Sequence, residues 1–240
     1  MTSDERLWKT FNKALGKYNL IDEGDKILVA LSGGKDSLCL LELLARRSKI
    51  LKPRFSLEAI HVRMDNVHYE SDTNYLQSFC DRLSVPLHVV TTRFEFSSKK
   101  PPCFLCSWER RKQLFNKAQA LGCSKIAFGH HQDDLIQTAL MNLTYIGRFT
   151  TMPPKLRMKK MPITIIRPLC LCNEEYIRDH AELHHYQKQK KVCTYEDTTS
   201  RKKTENIFMQ LRKLNPEVRY SIWNALENDG NITDSPKIPF

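Results

Sequence analysis

Apolar residues recur along residues 7–20 at Leu7, Phe11, Ala14, Leu15 and Tyr18, the three-and-four spacing of one helical face. The chain then switches to a short unbroken apolar run, Ile27-Leu28-Val29-Ala30-Leu31, which reads as a buried strand over 26–31. A Ser-Gly-Gly turn follows at once and opens a leucine-rich helix over 36–46. The alternation repeats with a strand over 55–62, a helix over 74–83 and a strand over 86–91. After a helix-breaking loop over 96–102 come a helix over 108–121, a strand over 125–128 and a helix over 135–145. Such alternation predicts an α/β fold, a parallel sheet with helices on both faces. Its ligands belong at the carboxyl ends of the strands. The two chemically distinctive loops, after Leu31 and after Phe128, both follow strands.

Past Gly147 the pattern changes. Pro153-Pro154 interrupts the chain, 162–167 reads as a further strand, 173–190 as a helix, and 205–214 and 216–226 as short helices. Residues 228–240 are polar and hold two prolines, which predicts a loose tail. The expected organisation is an α/β core over 1–150, a small, mainly helical C-terminal extension over 151–227 that completes the sheet, and a tail over 228–240.

At 240 residues and 41% hydrophobic content the chain can bury a real core, which excludes a disordered polypeptide. No apolar run approaches the roughly 20 residues that span a bilayer, and no apolar signal core follows Met1, so no membrane association and a cytoplasmic location are expected. The 38 Lys and Arg against 27 Asp and Glu give +11. That charge suits a polyanion such as nucleic acid, and it equally suits a merely basic protein. Eight cysteines in a reducing compartment argue against disulfides and leave metal binding, redox chemistry or burial.

Ser32-Gly33-Gly34-Lys35-Asp36-Ser37 has the makings of a phosphate loop. Adjacent glycines allow a tight bend and close approach, and the helix that follows turns its amides and positive dipole end toward a ligand. Ser32 and Ser37 offer hydroxyls, Lys35 a mobile charge, and Asp36 a ligand for a phosphate-bridging Mg²⁺. The spacing matches neither Gly-x-x-x-x-Gly-Lys-Ser/Thr nor Gly-x-Gly-x-x-Gly. In Gly129-His130-His131-Gln132-Asp133-Asp134, Gly129 lets a nucleotide approach closely, Asp133 is expected to cap the next helix, and Asp134 to reach the phosphates or their metal.

Cys103 and Cys106, between a loop and a helix start, are spaced to share a metal or cluster, with Arg110, Arg111 and Lys112 following. Spacing alone leaves zinc, an iron–sulfur cluster, a redox pair and a structural role open. Cys39, Cys80, Cys123, Cys170 and Cys172 are expected to be structural. Lys155, Arg157, Lys159 and Lys160, then Lys188, Lys190, Lys191, Arg201, Lys202 and Lys203, form two basic sets. These either surround a nucleic acid or are ordinary solvated charges, and Tyr186 and Tyr195 stand where they could stack on a flipped base.

The hexapeptide loop after a short strand resembles that of the PP-loop ATP pyrophosphatases, which split ATP between its α- and β-phosphates and adenylate a substrate. The likeness runs from about Trp8 to Leu226 and is most similar to the TtcA-like tRNA 2-thiocytidine synthetases. It rests on Ile21-Asp22-Glu23-Gly24-Asp25, Cys103-Phe104-Leu105-Cys106 with Arg110-Arg111, Gly129 to Asp134, Met152-Pro153-Pro154-Lys155-Leu156 and Ile166-Arg167-Pro168-Leu169. The resemblance implies a PP-loop, HUP-like Rossmann-type fold. It implies an ATP site built by Ala30, Ser32, Gly33, Gly34, Lys35, Asp36, Ser37, Gly129 and Asp134 with Arg110, with Mg²⁺ on Asp36. It further implies a [4Fe–4S] cluster held by three cysteines, here Cys103, Cys106 and Cys193, whose fourth iron carries sulfide. Asp36, Asp134 and the three cysteines are then the catalytic set. Around Cys193 the sequence departs from the pattern, with Thr194-Tyr195-Glu196-Asp197 where the family has a second cysteine and a glycine. The implied reaction adenylates a tRNA cytidine C2 oxygen and replaces it with sulfur. The partners implied are tRNA, at its anticodon region, a desulfurase or free sulfide, and a second copy in a homodimer. Competing expectations are uridine thiolation, a small-molecule acceptor, and a zinc-stabilised RNA-binding module without turnover.

Overall fold

The computed structural model describes residues 1–67, 71–95, 101–187, 200–230 and 232. Helix α1 spans Ser3–Lys17 and begins earlier than its apolar stripe because Thr2 and Glu5 form a reciprocal capping box. Then follow β1 (Asp25–Ala30), α2 (Lys35–Ser48), β2 (Phe55–Met64), α3 (Thr73–Leu83), β3 (Leu87–Thr92), α4 (Pro102–Ala120), β4 (Lys125–Ala127) and α5 (Gln132–Ile146). The chain continues with β5 (Lys155–Arg157), β6 (Thr164–Ile166), α6 (Glu174–Leu183), α7 (Ser200–Leu214) and α8 (Val218–Asn228).

The strands form one sheet in the order β3-β2-β1-β4-β6-β5. All pairs are parallel except β5 with β6. This is the expected α/β architecture, and it follows from strands such as Ile27-Leu28-Val29 being apolar on both faces. The chain leaves β1 toward β2 on one side, while β4 lies on the other. The crevice beyond the carboxyl ends of β1 and β4 is therefore the switch point where ligands of open α/β sheets bind. One core layer joins α1, α2, α3 and α6 residues such as Phe11, Leu41, Phe79 and Ile177 to the sheet. A second packs α5 against Phe208 of α7 and Trp223 of α8, and a third sets Leu114 and Ala118 of α4 against the sheet. Ile232, within the stretch read as a tail, is buried in the second layer.

Two expectations need correction. The helix read over 108–121 starts at Pro102, because proline suits the first helical turn. Cys103 and Cys106 therefore lie inside α4 rather than before it. The helix read over 173–190 ends at Leu183, because His185 takes a left-handed conformation with φ 53°. Lys155 and the exposed Arg157, of the first basic set, belong to the edge strand β5, where Lys155 Nζ donates to Asn19 O at 2.5 Å. Lys188, Lys190, Lys191, Cys193 and Tyr195 lie outside the described residues.

Candidate nucleotide site

The loop after β1 bends at Gly33, whose φ of 85° is easily reached only without a side chain. It delivers Gly34 as N-cap of α2, and no side chain closes that helix end. The amides at the start of α2 thus face outward with the positive end of the dipole. Ser37 Oγ donates back to Gly34 O at 2.9 Å and accepts from Ser32 N at 3.1 Å, which holds the loop in its turned form.

The loop after β4 packs directly beneath this turn. A Cβ on Gly129 would lie 3.0 Å from Asp36 O and 3.1 Å from Ser37 N, so the glycine is required for α2 and the β4 loop to meet. Between them opens a cavity of about 440 Å³. Its lining includes Ala30, Ser32, Asp36 and Ser37 from the first loop, Gly129, His130 and Asp134 from the second, and Ser107, Arg110 and Arg111 from α4. Predicted site residues from three separate stretches therefore share one cavity. Gly33, Gly34 and Lys35 belong to the adjoining loop, outside the lining.

The carboxylates divide their work differently from the expectation. Asp134 Oδ2 accepts from His131 N at 3.1 Å, so Asp134, at the third helical position, caps α5 while lining the cavity. Asp133 instead accepts from Glu174 N at 3.0 Å and takes an ion pair from Arg219, tying α5 to α6 and α8. The sequence offered no way to separate the two adjacent acids. Buried His131, which sequence reasoning left without a role, places Nε2 3.8 Å from Asp36 Oδ1 and 3.5 Å from Asp134 Oδ2. Two carboxylates thus flank its Nε2, while Asp133 Oδ2 lies 3.8 Å from its Nδ1. Asp36 Oδ1 is shielded from solvent and forms no hydrogen bond, although Lys35 Nζ stands 3.1 Å away. A buried oxygen of this kind fits a magnesium ligand.

Lys35 does not point at the cavity. Its Nζ lies 2.9 Å from Glu174 Oε1 at the start of α6. Burial works against its charge, but Asp36 and Glu174 outweigh that and raise its pKa. Burial likewise opposes ionisation of Glu174, and the bond from Lys35 prevails and lowers its pKa. Glu174 was invisible to sequence reasoning because it stands at an ordinary helix start, remote in the chain. His61, also lining the cavity, donates from Nδ1 to Leu31 O at 2.7 Å and accepts from Ser71 Oγ at 2.9 Å. Burial depresses its pKa despite the bond to Leu31.

Cys103 is exposed and Cys106 half-buried, three residues apart in the first turns of α4 and so on one side of it. Glu109 fixes this helix against β3, accepting from Thr92 Oγ1 at 3.0 Å and Gln113 Nε2 at 2.7 Å. The same helix carries Ser107, Arg110 and Arg111 into the cavity wall. Cys39, Cys80, Cys123, Cys170 and Cys172 are buried, and burial raises the pKa of each. They are core thiols, as expected.

A glycine-hinged loop and an uncapped helix start, with paired carboxylates at the switch point of a parallel sheet, define the class: an α/β enzyme that handles a nucleotide's phosphates. A PP-loop domain model matches residues 3–217. The tRNA-cytidine(32) 2-sulfurtransferase of Alkalilimnicola ehrlichii is 34% identical over 234 residues, covering 95% of this chain and 74% of the relative. That of Pseudomonas syringae pv. tomato is 32% identical, covering 93% and 84%. Among solved structures, the U34-tRNA thiolase NcsA from Methanococcus maripaludis, with its [4Fe–4S] cluster, superposes with a TM-score of 0.79. It is 26% identical, with 98% of this chain and 82% of that one covered. The chain belongs to the PP-loop family, in its tRNA-cytidine 2-sulfurtransferase branch.

Proposed function

We propose that the protein is an ATP-dependent tRNA sulfurtransferase that adenylates a cytidine C2 oxygen and replaces it with sulfur, giving 2-thiocytidine. One observation carries this reading. A single helix, α4, bears Cys103 and Cys106 on its first turns and lends Ser107, Arg110 and Arg111 to the cavity that the phosphate loop lines. Cys103 and Cys106 are not part of that lining, but they precede Ser107 and Arg110 on the same helix, which supports thiol and nucleotide chemistry acting on one bound nucleoside.

In this reading ATP lies across the 32–37 loop, with its phosphates on the α2 amides and Lys35. Lys35 must exchange its partner Glu174 for the triphosphate. The cytidine C2 oxygen attacks the α-phosphorus and pyrophosphate leaves, with Lys35 and the helix amides taking up the developing charge. Arg110 and Arg111, on the opposite wall, hold the AMP phosphate or the tRNA backbone. Asp36 and Asp134 would hold Mg²⁺, which shields the charge of the leaving pyrophosphate. Cys103 and Cys106, at a helix start whose dipole favours thiolate, fit two ligands of a cluster; with Cys193 they would hold a [4Fe–4S] centre, which would supply sulfide, and the C2 oxygen would leave with AMP as the carbon–sulfur bond forms.

The +11 charge supports a tRNA partner. A second cavity of about 590 Å³ contains Glu174, the residue that holds Lys35, but it sets Asp133, Glu174, Glu175 and Glu205 against Arg178, Arg212, Lys213 and Arg219, and so adds no net positive charge. On the same reading the ATP core is 1–150, the tRNA and cluster side is 151–227, and 228–240 is a tail. The tRNA is engaged at its anticodon region, sulfur comes from a desulfurase or free sulfide, and the enzyme works as a cytoplasmic homodimer. No helix among the described residues is long and apolar enough to cross a membrane. The test is anaerobic sulfur incorporation into tRNA, followed by nucleoside mass spectrometry. Wild type should form 2-thiocytidine, and Cys103→Ala should form none while retaining ATP binding. Thiouridine in place of thiocytidine, or full activity in Cys103→Ala, would sink the reading.

A further inference from the structure

The proposed reaction makes no use of the two histidines that end α6. His180 and His184, one turn apart, stack with ring centroids 4.1 Å apart and planes at 29°. Asp4, from the first turn of α1, places Oδ1 2.6 Å from His180 Nδ1 and 3.9 Å from His184 Nε2. Glu42 of α2 stands at the opposite edge of both rings, with Oε1 2.9 Å from His184 Nδ1 and Oε2 4.0 Å from His180 Nε2. Tyr186 Oη donates to Glu42 Oε2 at 2.6 Å and lies 3.1 Å from His180 Nε2.

The placement of protons decides which nitrogens are basic. A carboxylate only accepts. Tyr186 gives its one proton to Glu42, so its oxygen accepts from His180 Nε2–H. His184 Nδ1 faces Glu42 and carries its hydrogen for the same reason. In neutral rings the other two nitrogens hold lone pairs, and both lie on the side of Asp4. A lone pair and a carboxylate oxygen at 2.6 Å repel each other unless a cation stands between them, either a proton or a metal ion.

We propose that Asp4, His180 and His184 form a site for a divalent transition-metal ion of the zinc type, which clasps α1 to α6. One ligand atom from each of the three lies within 4.8 Å of the other two. Two imidazoles and a carboxylate are the donors such ions prefer. The far nitrogen of His184 meets the Glu42 carboxylate, and that of His180 meets Tyr186 Oη, itself bonded to Glu42; outer partners of this kind fix metal-binding histidines. Tetrahedral bonds of about 2.0–2.1 Å set ligand atoms roughly 3.3 Å apart. The 2.6 Å contact must open and the 3.9 Å contact close by well under 1 Å, and the two stacked rings must turn so that their lone pairs converge on the ion. The part-exposed Asp4 and His184 leave a fourth position for water. The nearest competing cation, Arg46, lies 3.8 Å from the other oxygen of Asp4, which leaves Oδ1 to the metal. The site is free of sulfur, and α6 carries it at the end opposite Glu174.

The experiment is a Co²⁺ titration of the full chain with Cys103→Ser and Cys106→Ser, followed by optical absorption, together with thermal melts in Zn²⁺. We expect one equivalent of Co²⁺ with ligand-field bands and no thiolate charge-transfer band. Zn²⁺ at a hundredfold excess over Kd should raise the melting temperature by roughly 5 °C or more. Asp4→Asn and His184→Gln should each abolish both signals, and Glu42→Gln should weaken binding about 10–100-fold. No bound cobalt, or cobalt held equally by both ligand variants, would overturn the site. So would a melt unmoved by Zn²⁺, which would leave a proton alone between Asp4 and His180. If His184→Gln fails to fold, Asp4→Asn, on the first turn of α1, decides the matter.

Discussion

Gly129 shows how little room the site leaves for change. Its missing Cβ is the space in which the start of α2 lies, and the atoms a methyl group would meet, Asp36 O at 3.0 Å and Ser37 N at 3.1 Å, are backbone that cannot swing aside. Gly129→Ala should therefore push the phosphate loop off the β4 loop. The expected cost is about 1–3 kcal/mol of stability, with a larger proportional loss of ATP–pyrophosphate exchange than of folded protein. Urea unfolding and exchange assays on the same preparation test this, and an unchanged exchange rate would show that the loop tolerates the shift. The requirement for glycine here was legible in the sequence, because a glycine after a strand and before an acidic helix start suggests close approach. The division of labour between Asp133 and Asp134 was not. Both positions read as helix-start acids, and only the arrival of Glu174 and Arg219 from remote chain segments separates them.

Among the elements, α6 acts as a brace. Its first residue, Glu174, pairs with Lys35, and its last turn carries the histidine pair beside Asp4 and Glu42. The Lys35–Glu174 pair is partly exposed, so its strength is modest. A triphosphate arriving on α2 must nevertheless displace it. Glu174→Gln should lower the KM for ATP about two- to fivefold, with little change in kcat, and exchange kinetics at varied ATP measure it. A raised KM would instead mean that Glu174 helps to position the nucleotide. The helix itself was legible from its apolar spacing. Its early end was not, because it depends on His185, neither glycine nor proline, taking a left-handed conformation that turns Tyr186 back to Glu42. The start of α4 was missed for a related reason. Pro101-Pro102 reads as a break, yet a proline at the first helical position costs no hydrogen bond.

For the whole molecule, the parallel sheet and the position of the site at its carboxyl ends followed from the alternation of strands and helices, whereas the strand order and the antiparallel edge strand β5 were not legible. The charge network at the other end of the sheet was hidden, since no local pattern marks Lys125 as buried. Lys125, only 4% exposed at the start of β4, lies 2.6 Å from Asp25 of β1 and 2.7 Å from Asp22, and donates to Leu20 O at 2.9 Å. It joins the two central strands to the loop after α1, at the sheet edge opposite the nucleotide cavity. Lys125→Met keeps the length and apolar stem but leaves buried Asp25 without its cation. Breaking a buried pair on one side costs about 3–5 kcal/mol, equivalent to roughly 10 °C in melting temperature for a chain of this size. The dependence on pH has a definite sign. The bond from Lys125, the largest influence on Asp22, lowers its pKa from 3.8, so its contribution is complete above that value and fades as pH falls through the folded value. The variant should therefore be less stable at neutral pH and show a shallower loss in acid, while tRNA thiolation per folded molecule at low temperature stays at the wild-type level. Melts from pH 7 down to about 3, with activity measured well below the transition, test both parts; a variant as stable as wild type would show that water serves Asp25 as well as Lys125 does.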